Sequence, residues 1–230
     1  MGYLKRIVYI GSLATGVLLL GIGLWKEQHY LLVSFLLIVC AMLPFFIRFE
    51  RRQVKTEEVI LIAILAAIAA ISRVPFAALP SVQPTSFVIM MAALVFGAEV
   101  GFLVGSIAAL VSNIFLGQGP WTPWQMFSWG MMGFTAGLLK DGVLMKSLLV
   151  KKIFGFVWGF VFGWIMNLWF VLGFLKELTW PVFLSAYISS FYFDLAHALA
   201  NVFFITFFSV VWMRILTRVK VKYGMLKQEV

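Results

Sequence analysis

Gly117-Gln118-Gly119-Pro120-Trp121-Thr122-Pro123-Trp124-Gln125 stands between two long apolar runs. Its reading decides how the chain is folded. Glycine and proline forbid helix continuation, so the apolar runs on either side are separate helices. A plain connector between two membrane helices needs only a few small polar residues. This one carries two tryptophans three apart, with Trp129 following one turn into the next helix. An interfacial aromatic belt explains tryptophan at a membrane edge. The rigid Gly/Pro frame and the amides of Gln118 and Gln125 point further, to a wall or lid for a large ligand with a flat apolar face.

Outward from this segment the chain is almost uniformly apolar. It has 230 residues, 63% hydrophobic and only 12% charged, a composition that places it among polytopic membrane proteins. Apolar segments near the length needed to cross the hydrocarbon fall at about 7–24, 30–47, 57–72, 85–97, 100–116, 124–139, 153–175 and 181–213. The fourth is short and turns tightly through Gly97-Ala98-Glu99-Val100-Gly101 into the fifth. The expected fold is therefore an all-α integral membrane protein of eight spans. Residues 1–55 form an N-terminal two-helix hairpin with a basic linker from Arg48 to Lys55, and 56–230 form a six-helix core.

The eighteen lysines and arginines sort along this topology. With the N-terminus inside, fifteen lie on the cytoplasmic side, from Lys5 and Arg6 through Lys140 to Lys227. Only Lys26, Arg73 and Lys176 lie outside. Such a bias sets membrane orientation. It predicts both termini in the cytoplasm and accounts for the net charge of +9 without a nucleic-acid partner. The connections Arg73–Thr85, Leu116–Pro123 and Lys176–Pro181 then lie outside and are richest in sequence. Loops of this kind usually carry function.

Polar groups inside the spans sharpen the expectation. Asp194, His197 and Asn201 recur at i, i+3, i+7 and share one helical face. A carboxylate in a bilayer must face protein or water, with a partner, and His197 is near enough to be that partner. The pair reads either as a ligand contact or as a packing lock. Asn113 points toward the vestibule of the Gln118 loop, and Asn167 toward a bridge between helices. Tyr187, Ser189, Ser190 and Tyr192 add hydroxyls to the outer half of the last span. In the third span, Ala63/Ala67 and Ala66/Ala70 are small-xxx-small pairs that suit close helix approach.

Several chemistries are missing. There is no G-x-x-x-x-G-K-[ST] nucleotide loop, no G-x-S-x-G, no H-E-x-x-H and no cysteine–histidine metal set; the single cysteine, Cys40, is expected to be a small buried hydrophobe. No cofactor is expected and catalysis is poorly supported. The enzymatic alternative is a lipid-modifying membrane enzyme with Asp194 and His197 as acid and base. A further alternative is a structural membrane adaptor that uses the alanine stripe.

Three features give the chain a family resemblance across about 56–215. They are the stripe Ala63/Ala67/Ala70, the outer loop Arg73-Val74-Pro75-Phe76-Ala77-Ala78-Leu79-Pro80-Ser81-Val82-Gln83-Pro84 leading into a short helix, and the segment Gly97 to Gly137 with the Gly117–Gln125 loop inside it. With these it resembles the substrate-binding subunit, or S-component, of an energy-coupling-factor (ECF) vitamin transporter. The resemblance implies a multi-pass subunit of the bacterial cytoplasmic membrane that binds a vitamin at its outer face. The first core helix would dock through Ala63, Ala66, Ala67 and Ala70 on a membrane scaffold subunit driven by two ATPases, an ABC-type importer. The two N-terminal spans depart from the family pattern. The outer segment most resembles cobalamin-type subunits. A wide corrin ring suits Trp121, Trp124, Trp129 and Tyr187, and its amide fringe suits Gln83, Asn113, Gln118 and Gln125. Phe87 and Asp194 complete the expected binding set. Riboflavin, which also stacks on tryptophan, is the alternative vitamin.

Overall fold

The computed structural model describes residues 30–51, 55–174 and 179–224. The expected span 7–24 lies outside these. The described residues form seven α-helices and two short 3-10 turns. They are α1 (Tyr30–Arg51), α2 (Thr56–Ser72), α3 (Pro84–Phe96), α4 (Ala98–Leu116), α5 (Thr122–Leu138), α6 (Leu148–Phe174) and α7 (Trp180–Lys222). The 3-10 turns are Val74–Phe76 after α2 and Val143–Lys146 before α6. The protein is an all-α integral membrane protein. Four segments are long and apolar enough to cross a bilayer by length and composition: Thr56–Phe76, Ala98–Leu116, Leu148–Phe174 and Trp180–Lys222.

Helix boundaries follow local chemistry. Proline opens α3, α5 and α7, as Pro84, Pro123 and Pro181 in their first turns, where a missing N–H is harmless and the fixed φ fits. Between α3 and α4 a single residue, Gly97, makes the turn at φ 102°, a conformation that side chains resist. Two spans run further than the apolar pattern predicts. Helix α1 continues to Arg51 into the expected linker, and α7 extends from the expected end at 213 to Lys222. Each extension is charged, and charge outside the hydrocarbon does not stop a helix. At about 1.5 Å per residue, the 43-residue α7 is about 65 Å long, well beyond the bilayer core.

Helix α3 is the axis of the bundle. All thirteen of its residues are buried, and α2, α4, α5 and α7 surround it. Two helix pairs form the walls. In the α4/α5 pair, a Cβ on Gly101 would run into the backbone of Gly133, and one on Gly133 into that of Gly101. In the α6/α7 pair, Gly159 sits directly against the backbone of Ala198. Glycine at these crossings brings the backbones into van der Waals contact, the main source of helix association in lipid.

Helix α1 packs on α4, α5 and α6. Phe45 stacks on Phe102 with centroids 3.9 Å apart and meets Phe134 edge-on at 4.9 Å. Ile38 and Met42 are buried beside Trp124. The second expected span is thus integrated into the core wall.

One end of the bundle gathers the segments 73–83 and 117–121. At the opposite end Lys220 Nζ donates to Val95 O at 2.9 Å, and Lys140 lies beside Gly97.

Candidate functional site

At the loop end, α6 and α7 line a cavity of about 240 Å³. Ser81 and Gln83 of the α2–α3 loop close one side. Phe162, Met166 and Asn167 of α6, and Ser190, Phe193, Asp194 and His197 of α7, form the rest. Through Asn167, Ser190 and Phe193 it adjoins a second hollow of about 420 Å³ that runs along α6 and α7 past Phe170, Val182 and Ala186.

Each polar group is placed by an identifiable local feature. Asp194 is 5% exposed and fits because residue 163 of the facing helix is glycine; any Cβ there would collide with its carboxylate. Ser190 Oγ lies 3.0 Å from Asp194 Oδ2 and accepts a hydrogen bond of 2.6 Å from Asn167 Nδ2, so Asn167 bridges the two helices as expected. His197 is 3% exposed; its Nε2 meets Ser86 Oγ on α3 at 2.7 Å, and its ring stands edge-on to Phe162. Asp194 and His197 share a face and line the same cavity, but they do not bond each other as the spacing suggested. The glycine notch of α6 receives one and α3 receives the other. Asn201, third on that face, donates to Gly155 O at 2.9 Å.

The loop contributes a strained residue and an open acceptor. Ser81 has φ 60°, uncommon for a residue with a side chain. Gln83 Oε1 is buried and has no hydrogen-bond partner. A buried acceptor without a donor costs about 1–3 kcal/mol, so it marks a place where a ligand donor would be favoured.

The other sequence-predicted residues lie elsewhere. Asn113, Gln118 and Gln125 are joined in a network of their own. Asn113 Nδ2 donates to Gln125 Oε1 at 2.7 Å and to Thr122 Oγ1 at 2.9 Å. Thr122 donates to Gln118 Oε1 at 2.9 Å, and Gln118 Nε2 donates to Leu110 O. Trp124 is 4% exposed among Ile38, Met42 and Phe102. Trp121 meets Trp169 edge-on at 5.6 Å. Trp129 is fully enclosed between the guanidinium of Arg73 and the ring of Phe162, each 4.8 Å from it. Phe87 packs against Phe204, Phe208 and Trp212, away from the cavity. Tyr187 stacks on Phe183 and donates its hydroxyl to Trp164 O at 3.1 Å. Of the expected binding set, the cavity itself brings together Gln83 and Asp194. Sequence reasoning passed over Ser81 and Gly163; the glycine row Gly155-x-x-x-Gly159-x-x-x-Gly163 was the signal for the latter.

The alanine stripe divides in two. Ala66 and Ala70 are fully buried against the chain's own helices. Ala63 is exposed and Ala67 half-buried, on a face with Ile60, Ile64, Ile68 and Ile71, each at least 40% exposed.

No Asp, Glu, His or Cys cluster suited to a metal ion occurs among the described residues. The family model for the ECF-type riboflavin transporter, S component, matches residues 53–218. A UPF0397 protein of Vibrio atlanticus is 36% identical over 87 residues, 36% of this chain and 47% of that protein. One from Aliivibrio fischeri is 33% identical over 91 residues, 37% of this chain and 49% of that protein. The chain spans about half the length of the curated relatives it matches. No solved structure matches it. The family match covers α2 through most of α7 and both loops of the cavity end, and on it the chain belongs to the ECF-type riboflavin transporter S-component family, whose members are transport subunits rather than enzymes.

Proposed function

We propose that this chain is the substrate-specific subunit of an ECF-type importer and that it takes a flat vitamin of riboflavin size into the cavity between α6, α7 and the 73–83 loop. The observation that carries this reading is the convergence of Gln83, Asn167, Ser190, Asp194 and His197 from three elements on one hollow, with Gln83 Oε1 unpartnered. A mostly apolar hollow with a few convergent polar groups is the usual form of a small-molecule site. Phe162 and Phe193 supply apolar faces. Asn167, Ser190 and Asp194 supply donors and acceptors for a ring edge or a polyol chain.

Size favours riboflavin over a corrinoid. Hollows of about 240 and 420 Å³ lie just below and at the lower end of the usual range for ligand pockets. A corrin with its amide fringe exceeds either. The tryptophans expected to stack on it are engaged with Arg73, Phe162 and Trp169 instead.

For docking, we place the scaffold subunit on the face of α2 that carries Ala63 and Ala67, since α1 lies on the other flank. Membrane orientation follows the positive-inside sorting, with both termini in the cytoplasm and the cavity opening outward. Residues 56–230 act as the binding core.

The test is binding to the purified chain. Riboflavin fluorescence is expected to be quenched on addition of protein, with cyanocobalamin failing to compete. Competition by cyanocobalamin, or no quenching at all, would overturn the substrate assignment. Ala67→Trp is expected to keep flavin binding and to lose uptake in cells that carry the full importer. Loss of both would place Ala67 in the fold, and retention of both would move docking to another face.

A further inference from the structure

Arg73 is a buried cation. It is 9% exposed, and among the described residues no carboxylate lies within ion-pair reach of it. Its Nη1 donates to Ser112 Oγ at 2.7 Å and more weakly to Asn113 Oδ1 at 3.4 Å. The guanidinium lies over Trp129, and Nε has no partner. Burying a charge in this way is expensive. Hydroxyl, amide carbonyl and indole face share the load here, and the groups that share it belong to separate elements.

Arg73 starts the 73–83 loop, its carbonyl accepting from the N–H of Phe76 at 3.0 Å. Asn113 lies in the last turn of α4 and, through Thr122, fastens the 117–121 loop at Gln118. Trp129 donates its indole N–H to Ser86 Oγ at 3.0 Å, and Ser86 meets His197 at the cavity. One continuous path of polar contacts therefore joins both outer loops to the cavity floor, and every branch passes through Arg73 or a residue that it touches.

We propose that Arg73 is a positioning residue that makes the 73–83 and 117–121 loops open and close as one latch, instead of as two independent lids, and that reports their state to the cavity floor through Trp129 and Ser86. This rests on the reading of the α6/α7 cavity as the vitamin site. Among the described residues the guanidinium has only neutral partners, which suits the role. A carboxylate partner would pin it, whereas neutral partners hold it only while both loops are seated.

Hydrogen–deuterium exchange on the full chain in detergent, without ligand, tests the coupling. Arg73→Met is expected to raise exchange in segments 77–83 and 117–121 together. Thr122→Val keeps shape, breaks the path at the far loop, and is expected to raise exchange in 77–83 as well. Arg73→Lys keeps a cation on Trp129 without the fork and is expected to fall between wild type and Arg73→Met. Should Arg73→Met not fold, Thr122→Val and Arg73→Lys carry the test. Loosening confined to the loop that holds the substitution would overturn the proposal. With riboflavin added, Thr122→Val is expected to speed dissociation about tenfold, the size of one lost hydrogen bond near a charged group. An unchanged dissociation rate would count against the latch. Failure of the wild type to bind riboflavin would overturn the substrate assignment and leave the exchange result to decide the coupling.

Discussion

Helices α4 and α5 meet backbone to backbone at Gly101 and Gly133, and α6 and α7 do so at Gly159 and Ala198, yet the two pairs end differently. Above the first pair, Asn113, Thr122, Gln118 and Gln125 bond one another and the loop is shut. Above the second, the next glycine, Gly163, admits a carboxylate in place of a backbone, and a cavity opens beside it. The aromatic-rich loop thus belongs to the wall, and the quieter pair holds the hollow. Aromatic residues alone do not locate a membrane site. Polar groups whose hydrogen-bonding capacity is not used up by the chain itself do so better.

The largest effect that this contrast predicts lies in the wall. Trp124→Ala is expected to destabilise the protein by about 3–5 kcal/mol, as expected for removing a buried tryptophan, and Trp124→Phe by less than about 1.5 kcal/mol. Thermal unfolding in detergent reads both. A mild Trp124→Ala that weakens flavin binding would move the site to the aromatic loop and reverse the comparison.

Next come the glycine crossings. Gly133→Ala is expected to cost about 1–3 kcal/mol, since the methyl meets backbone that cannot rotate away. Gly163→Ala meets only the Asp194 carboxylate, so its melting temperature should shift less while riboflavin affinity falls. Equal thermal shifts would show that the second pair is as closed as the first.

Within the cavity, Asp194→Leu is expected to weaken riboflavin binding by about 1–3 kcal/mol, removing an acceptor from Ser190 and from the ligand. Asp194→Asn keeps hydrogen-bonding capacity and should be milder. Isothermal titration separates them, and identical affinities would remove Asp194 from the site. The smallest effect belongs to Ser81→Gly. Relief of the φ 60° conformation is offset by added freedom in the unfolded chain, so stability should change by less than about 1 kcal/mol.

Much of the fold was legible because it rests on local signals. Apolar run lengths, the Gly97 turn and prolines opening three helices place most elements within a few residues. The site was less so. Trp121 and Trp124 have the same composition whether they face a ligand or Trp169 and Met42, and sequence spacing does not reveal that Asn113 and Gln125 face each other. Asp194 was legible as an expensive intramembrane carboxylate, but its partner was not. The hydrogen bond to Ser190 on its own helix and the notch at Gly163 replace the expected bond to His197. The alanine stripe was visible, but which half faces outward depends on where α3 and α4 pack.

Helix α3 carries a consequence for how the protein is made. At thirteen residues it is about 20 Å long, too short for a hydrocarbon core of about 30 Å, and it has no face that lipid could cover, since Thr85 and Ser86 find their partners in Ala69, Trp129 and His197. Its neighbour α7 is the last of the described helices to leave the ribosome. Until then α3 waits in the membrane with one side open. The centre of the bundle is therefore synthesised early and finished late, and a chain that stops before α7 would present an unfinished interior to the quality-control proteases of the membrane.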